Sequence, residues 1–282
     1  WKQRTWTRVT LEALPGEATR ITFLLPRSWN VKPGSHTYVY LPRIAPLSLH
    51  PFSIAWHNST GYARLDSEKL PLSVEDLKMH NGPSTISCIV RARTGMTRSL
   101  YNRASKAKAD HVELWGVIEG PYGGKHSLGS YGSVVLFAAG AGITHQLSFV
   151  RHLLAGYNHN TSATRKIVLV WCIPTIESVE WIYPWLEELA AMPDYNDIVQ
   201  VQLYVSRSTP ETAESLPLPV ESQVFSQRCD PQKIVDDQIL VQVGAMAVTV
   251  CGPGGFNDSV RAAVRRRVGL RSIDFFEEAF SS

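Results

Sequence analysis

The chain has 282 residues, 44% of them hydrophobic and 19% charged, which is a globular composition long enough for one large or two ordinary domains and excludes a disordered chain. Its net charge of 28 − 25 = +3 is too small, and its basic residues too dispersed, for a nucleic-acid-binding protein. The longest apolar run, Val134 to Ala141, is broken by Gly140 and falls far short of a bilayer span, and the first ten residues carry charges where a signal peptide needs an apolar stretch.

The first half reads as short strands. Thr5 to Glu12 and Thr19 to Leu25 are β-rich runs separated by Pro15-Gly16. Lys32-Pro33-Gly34-Ser35 predicts a turn before a strand from Thr37 to Leu41, and His50 to Trp56 and Thr85 to Arg93 are further strand candidates. His111 to Glu119 is another, ended by Gly120-Pro121-Tyr122-Gly123-Gly124. Short strands at this spacing predict an antiparallel β-barrel. His57 to Ser84 reads as an irregular excursion with a short helix at Ser73 to Met79.

The second half changes character. Ser133 to Ala139 is an apolar strand, followed by a glycine turn and a helix with Ile143, Leu147, Val150 and Leu154 on one face. Further strands are expected at Lys166 to Ile173, Val199 to Val205 and Val248 to Cys251. Helices are expected at Ser178 to Met192, with a kink or break at Pro184, and at Asn257 to Val268. Strands alternating with helices predict a parallel, Rossmann-like α/β sheet covered on both faces. The change near Lys125 to Ser130 places the expected domains at 1–128 and 129–282.

Two glycine-rich turns carry the chemistry. Gly140-Ala141-Gly142-Ile143-Thr144-His145 joins a strand to a helix, where glycines let the backbone approach a pyrophosphate and the helix N-terminus offers N–H groups. The third glycine of the dinucleotide fingerprint is replaced by His145, and a plain tight turn fits these residues as well. Cys251-Gly252-Pro253-Gly254-Gly255 occupies a second strand-to-helix junction on the same edge of such a sheet. Tyr204-Val205-Ser206-Arg207 ends a strand with a hydroxyl and a guanidinium, the pair that a 2′-phosphate needs. In the first half, Arg91-Ala92-Arg93-Thr94-Gly95-Met96-Thr97 offers charge, backbone and hydroxyl to a diphosphate, or forms an ordinary basic turn. The four cysteines Cys88, Cys172, Cys229 and Cys251 form no CxxC and have no histidine cluster beside them, so no metal site is expected and free thiols in a reducing compartment are. Arg261, Arg265, Arg266, Arg267 and Arg271 form a basic cluster that reads either as a solvated helix face or as a surface for anionic lipid.

In combination these segments become specific. His50-Pro51-Phe52-Ser53, Arg91 to Thr97, Gly120-Pro121-Tyr122-Gly123, Ala139 to His145, Trp171-Cys172, Cys251-Gly252-Pro253-Gly254 and the closing Phe275-Phe276-Glu277-Glu278-Ala279-Phe280 occur in one order along nearly the whole chain. Together they resemble the C-terminal dehydrogenase region of fungal ferric reductases and NADPH oxidases, and more broadly the ferredoxin–NADP reductase superfamily.

The resemblance implies an FAD-binding barrel followed by an NADPH-binding α/β domain. His50, Pro51, Phe52 and Ser53 would lie along the flavin, with the Ser53 hydroxyl near its reactive nitrogen; the family usually has Thr there, and a small polar residue where Trp56 stands. Arg91, Gly95 and Thr97 would hold the FAD diphosphate. Gly140, Gly142 and Thr144 would cradle the NADPH pyrophosphate, with Ser206 and Arg207 at its 2′-phosphate. Cys251, in the turn with Gly252, Pro253 and Gly254, would sit beside the nicotinamide, and Phe280 would cover the flavin face. Cys251, Ser53 and Phe280 are thus the expected catalytic group. Electrons would pass singly to haem in an N-terminal membrane domain of the same polypeptide, at the cytoplasmic face of a membrane, the plasma membrane in the first instance. A start at Trp1 fits a piece of such a longer protein. The leading expectation is a ferric-chelate reductase. Alternatives are a superoxide-producing NADPH oxidase, a free-standing soluble reductase and a non-catalytic nucleotide sensor.

Overall fold

The computed structural model describes residues 4–59, 83–207, 218–267, 269 and 272–278. The expected helix at Ser73 to Met79, Arg271 and Phe280 lie outside these residues. The chain divides into two units, Trp1–Lys125 and His126–Ser282.

Seven antiparallel strands make the first unit: β1 (Arg4–Leu14), β2 (Ala18–Leu25), β3 (Ser35–Tyr40), β4 (His50–Ser53), β5 (Trp56–Ser59), β6 (Ser84–Arg91) and β7 (Val112–Gly123). Their order is β4-β3-β7-β1-β2-β6-β5. Side chains alternate across a strand, so Val9, Leu11, Ile21, Phe23, Leu25, Val39 and Ile118 fill the inside. The helix α1 (Gly95–Ser105) adds Met96, Leu100 and Ala104, four residues apart on one face, to that core. The run expected as one strand from His50 to Trp56 is two. Between them the Ile54 N–H donates to the Ser35 carbonyl and the Ala55 N–H to the Ser87 carbonyl, both at 2.9 Å. Two residues thus carry the chain from one sheet edge to the other and draw the edges together.

The second unit has six parallel strands: β8 (Ser133–Ala139), β9 (Lys166–Ile173), β10 (Val199–Val205), β11 (Ser222–Phe225), β12 (Met246–Cys251) and β13 (Ile273–Glu278). Their order is β11-β10-β9-β8-β12-β13. The strands step outward from β8 in one direction and from β12 in the other. Helix α2 (Ile143–Asn158) follows a single 3-10 turn, Gly140–Gly142. The helix expected over Ser178 to Met192 is broken: a 3-10 segment, Ile176–Trp181, precedes α3 (Tyr183–Ala190), with Pro184 in the first turn of α3, where no intrahelical N–H is needed. A short α4 (Tyr195–Ile198) leads into β10.

Strand β11 and helix α5 (Pro231–Leu240) were not anticipated. The Asp230 carboxylate caps α5 by accepting from the Gln232 and Lys233 N–H groups, with Pro231 in the first turn. Helix α6 (Gly254–Arg265) starts three residues before the expected Asn257, because the glycines after Pro253 are already helical. Phe275 and Phe276 lie in β13, half-buried. Among the described residues no helix is long and apolar enough to cross a membrane.

Candidate functional site

In an open parallel sheet the strand order reverses at one point, and ligands bind outside the carboxyl ends of the strands there. Here that point lies between β8 and β12. Both glycine-rich turns sit at it: Gly140-Ala141-Gly142 leaves β8 and Gly252-Pro253-Gly254 leaves β12. The turns touch through their backbones. A Cβ on Gly142 would fall 1.9 Å from the Cys251 carbonyl oxygen, so only glycine fits. Gly140 has φ +54° with nothing within 4 Å of where a Cβ would stand, and Gly254 and Gly255 face equally open space. The result is a bare backbone rim with the N-termini of α2 and α6 behind it, which fits the pyrophosphate of a dinucleotide.

Several side chains hold this rim. The Trp171 indole donates to the Gly140 carbonyl at 3.0 Å. The Thr144 hydroxyl donates to the Ala141 carbonyl at 2.8 Å, so it is committed to its own turn. Gln146, fully buried, donates to the Phe137 carbonyl at 3.0 Å and accepts from the Thr249 hydroxyl at 2.8 Å. It ties α2 to β8 and β12 across the switch point, a role that nothing in its sequence position announces.

Titratable groups gather on the β13 side. Cys251 is fully buried and lies opposite Glu278 across β12 and β13. Burial, aided by the Glu278 charge, pushes its thiol pKa far up, so it is uncharged at neutral pH. His145 is 7% exposed, with its Nδ1 lacking a hydrogen-bond partner. Burial lowers its pKa to about 4, with the neighbouring His126 charge a lesser cause. It is therefore neutral at pH 7, and its 4.0 Å separation from a Glu278 oxygen is not an ion pair there. His126, His145, Phe149, Phe276 and Glu278 line a small cavity at this end of the sheet.

Ser206 and Arg207 follow β10 directly. Their backbone N–H groups donate to the Ile173 and Pro174 carbonyls at 3.0 and 2.9 Å, and both residues are exposed. This pins the pair beside the carboxyl end of β9, on the same sheet edge as the glycine turns. The basic cluster on α6 is largely engaged within the unit. Arg261 pairs with Glu277 and Asp258, Arg267 with Asp236, and Arg266 hydrogen-bonds Gln232.

In the first unit, Ser53 ends β4 opposite His36, and Pro51 lies opposite Tyr38. His50 stacks on Phe52 at 6.2 Å, and Phe52 packs against the barrel core. His36, Tyr38 and Tyr122 form an aromatic group with centroids 5.7 to 6.0 Å apart, and the Tyr122 hydroxyl donates to Glu119 at 2.6 Å. These partly exposed rings beside Ser53 suit a flat aromatic ligand. The grouping has no local sequence signal, because β3–β7 pairing is what brings Tyr122 to His36.

The Arg91 to Thr97 turn leads from β6 into α1. Gly95 has φ +58° and open space at its Cβ position. The Thr97 hydroxyl donates to the Thr94 carbonyl and accepts the Arg93 N–H, both at 3.0 Å. Arg98 forks onto Glu17 at 2.5 and 3.0 Å, holding the Glu17 carboxyl below its ordinary range, while the Ala92 N–H donates to the Glu17 carbonyl at 2.7 Å. The β1–β2 turn thereby clips the loop in place and leaves Arg91 exposed.

An antiparallel barrel followed by a parallel sheet with glycine turns at its switch point is a two-unit fold shared with ferredoxin–NADP reductases. A ferredoxin–NADP+ reductase from Neisseria gonorrhoeae with bound FAD and NADP shares this fold, with TM-score 0.59 and 11% identity, over 98% of either chain. Residues 3–126 match the family model described as FAD-binding domain, and residues 131–265 that described as ferric reductase NAD binding domain. The chain thus carries the FAD-binding and NAD-binding domains of the ferric reductase type, which bind FAD and a pyridine nucleotide. It is 28% identical to "Probable cell surface ferric reductase kap2" of Aspergillus oryzae over 64% of this chain and 22% of that protein. It is 25% identical to "Ferric reductase transmembrane component 3" of Saccharomyces cerevisiae over 96% of this chain and 38% of that protein. The chain thus spans between about a fifth and two fifths of the length of these curated relatives.

Proposed function

We propose that this chain is the dehydrogenase part of a transmembrane ferric-chelate reductase. It takes electrons from NADPH and delivers them one at a time to haem in a membrane domain of the same polypeptide, at the cytoplasmic face of the plasma membrane. The observation that carries the reading is the bare rim at the β8–β12 switch point, where a Gly142 side chain is sterically forbidden by the Cys251 carbonyl. The Aspergillus and yeast relatives, a cell surface ferric reductase and a ferric reductase transmembrane component, support the ferric acceptor and the membrane partner.

When bound, NADPH supplies a hydride and FAD converts that two-electron delivery into single-electron steps. The protein supplies position and electrostatics. Gly140, Gly142, Gly252, Pro253 and Gly254 give the pyrophosphate a backbone cradle, while Thr144 and Trp171 hold its shape. Ser206 and Arg207 offer a hydroxyl and a charge to a 2′-phosphate, which is the basis for NADPH over NADH. Arg91 and the open Gly95 turn take the FAD diphosphate, with Thr97 stiffening that turn. Ser53 offers a hydroxyl to the flavin beside the His36, Tyr38 and Tyr122 rings, with His50, Pro51 and Phe52 shaping the strand below it. Cys251 stays an uncharged thiol in the wall of the nicotinamide end.

Anaerobic mixing of the FAD-loaded chain with NADPH is expected to bleach the flavin band. Protein that stays colourless after FAD addition overturns the flavin assignment, and bound flavin that NADPH leaves yellow favours a nucleotide sensor. Arg207→Ala is expected to raise the apparent KM for NADPH roughly tenfold, the loss of about 1.4 kcal/mol of charge-assisted binding, with little change for NADH. Equal effects on both nucleotides reject the 2′-phosphate role.

A further inference from the structure

Cys172 is the penultimate residue of β9, and Cys229 immediately precedes Asp230, the cap of α5. Both are half-buried and pack against one apolar cluster that includes Val168, Val170, Ile234 and Val235. Cys229 is a neighbour of Cys172 at this cluster and raises the Cys172 thiol pKa. Tyr204, paired with Cys172 across β9 and β10 and stacked on Phe225 at 4.7 Å, lies beside both sulfurs. The fold therefore brings together two thiols that are 229 − 172 = 57 positions apart in the chain. Among the described residues no group of three His, Cys, Asp or Glu is placed to hold a metal ion. Two sulfurs without further ligands suit a bond to each other better than a zinc site.

We propose that Cys172 and Cys229 form an oxidisable dithiol that hydrogen peroxide converts into a disulfide. The bond would fasten the segment before α5 to the carboxyl end of β9, next to the Trp171 indole that holds the Gly140 carbonyl. In the proposed step Cys229, in the segment before α5, is the attacking thiol. The Cys229 thiolate attacks one peroxide oxygen, the O–O bond breaks, and a sulfenic acid and hydroxide form. The Cys172 sulfur then attacks the Cys229 sulfur. An S–S bond forms, the S–O bond breaks, and the departing hydroxide leaves as water with the Cys172 proton. In sum, two thiols lose two electrons and two protons, and one peroxide becomes two waters. The remaining cysteines, Cys88 and Cys251, are fully buried, Cys88 with its thiol pushed up to about 12, so neither competes.

The test treats the purified 282-residue chain with hydrogen peroxide, then alkylates it under denaturing conditions and maps its peptides. The expected result is loss of two thiols, a peptide pair joined through Cys172 and Cys229, and full recovery with dithiothreitol. Thermal unfolding of the α/β unit shifts upward on oxidation, because the cross-link restricts the unfolded chain; Cys172→Ser and Cys229→Ser lose both the cross-link and the shift. Four intact thiols, first oxidation at Cys88 or Cys251, or sulfinic acid at Cys229 without a cross-link would each overturn the proposal. The cross-link is read in the parent chain and needs no variant to fold. No nucleotide enters the measurement, so its outcome is separate from that of the reductase reading.

Discussion

At the residue scale, His145 shows how burial becomes a pH dependence. Its folded pKa of about 4 lies below the ordinary 6.5. Above pH 6.5 neither state holds the proton. Below it the unfolded chain takes up the proton first, so the contribution is complete above about 6.5 and is lost as pH falls towards 4. Urea unfolding at pH 7.5 and pH 5 is expected to differ by roughly 2 kcal/mol from this group. His145→Gln is expected to remove that portion of the difference, and an unchanged difference rejects the assignment. Cys251 makes a complementary case, since a thiol kept neutral cannot act as a thiolate nucleophile or base. Cys251→Ala is expected to slow anaerobic flavin reduction roughly tenfold while FAD content stays constant. An unchanged rate removes Cys251 from the reaction.

At the scale of elements, the two turns at the switch point act as one unit. Gly142→Ala is expected to cost about 2–3 kcal/mol of stability through overpacking, because its Cβ meets the Cys251 carbonyl, and to abolish nucleotide binding. Trp171→Phe removes one neutral hydrogen bond, so it is expected to cost about 1 kcal/mol and to weaken nucleotide binding several-fold in a fluorescence titration. The first of these turns was legible in the sequence because Gly142 has no room for a side chain and Gly140 has a positive φ. The long strands were legible through alternation or apolar runs, as in Thr19 to Leu25 and Lys166 to Ile173. Strand β11 was not, since four residues carry no period. Helix α5 was not either, because its buried face is only Ile234, Val235 and Gln238. Hydroxyls misdirect in a regular way. Thr97 and Thr144 stand where a phosphate ligand is expected, yet each donates to a carbonyl three residues earlier, the habit of Thr in the first turn of a helix. What the sequence withheld altogether were groupings made by strand pairing, such as His36 with Tyr122 and Cys172 with Cys229.

At the scale of the whole molecule, the second unit carries its own core, its own glycine rim and its own ion pairs. The segment 126–282 produced alone is therefore expected to bind a 2′,5′-ADP resin and to remain colourless with FAD, whereas the intact chain turns yellow. Failure of the segment to bind while remaining folded by circular dichroism would mean that the rim needs the first unit. The linkage also holds in reverse, because the Glu17–Arg98 clip and the Gly95 turn lie wholly within the first unit.

The two-residue step through Ile54 and Ala55 has a further consequence. Strands at the rim of a sheet leave N–H and C=O groups on which a foreign strand can grow. Here the rim strands β4 and β5 are four residues each, the two residues between them are bonded to β3 and β6, and β11, at one side of the other sheet, is equally short. Concentrated solutions of this chain should therefore resist the stacking into fibrils to which open β-architectures are prone.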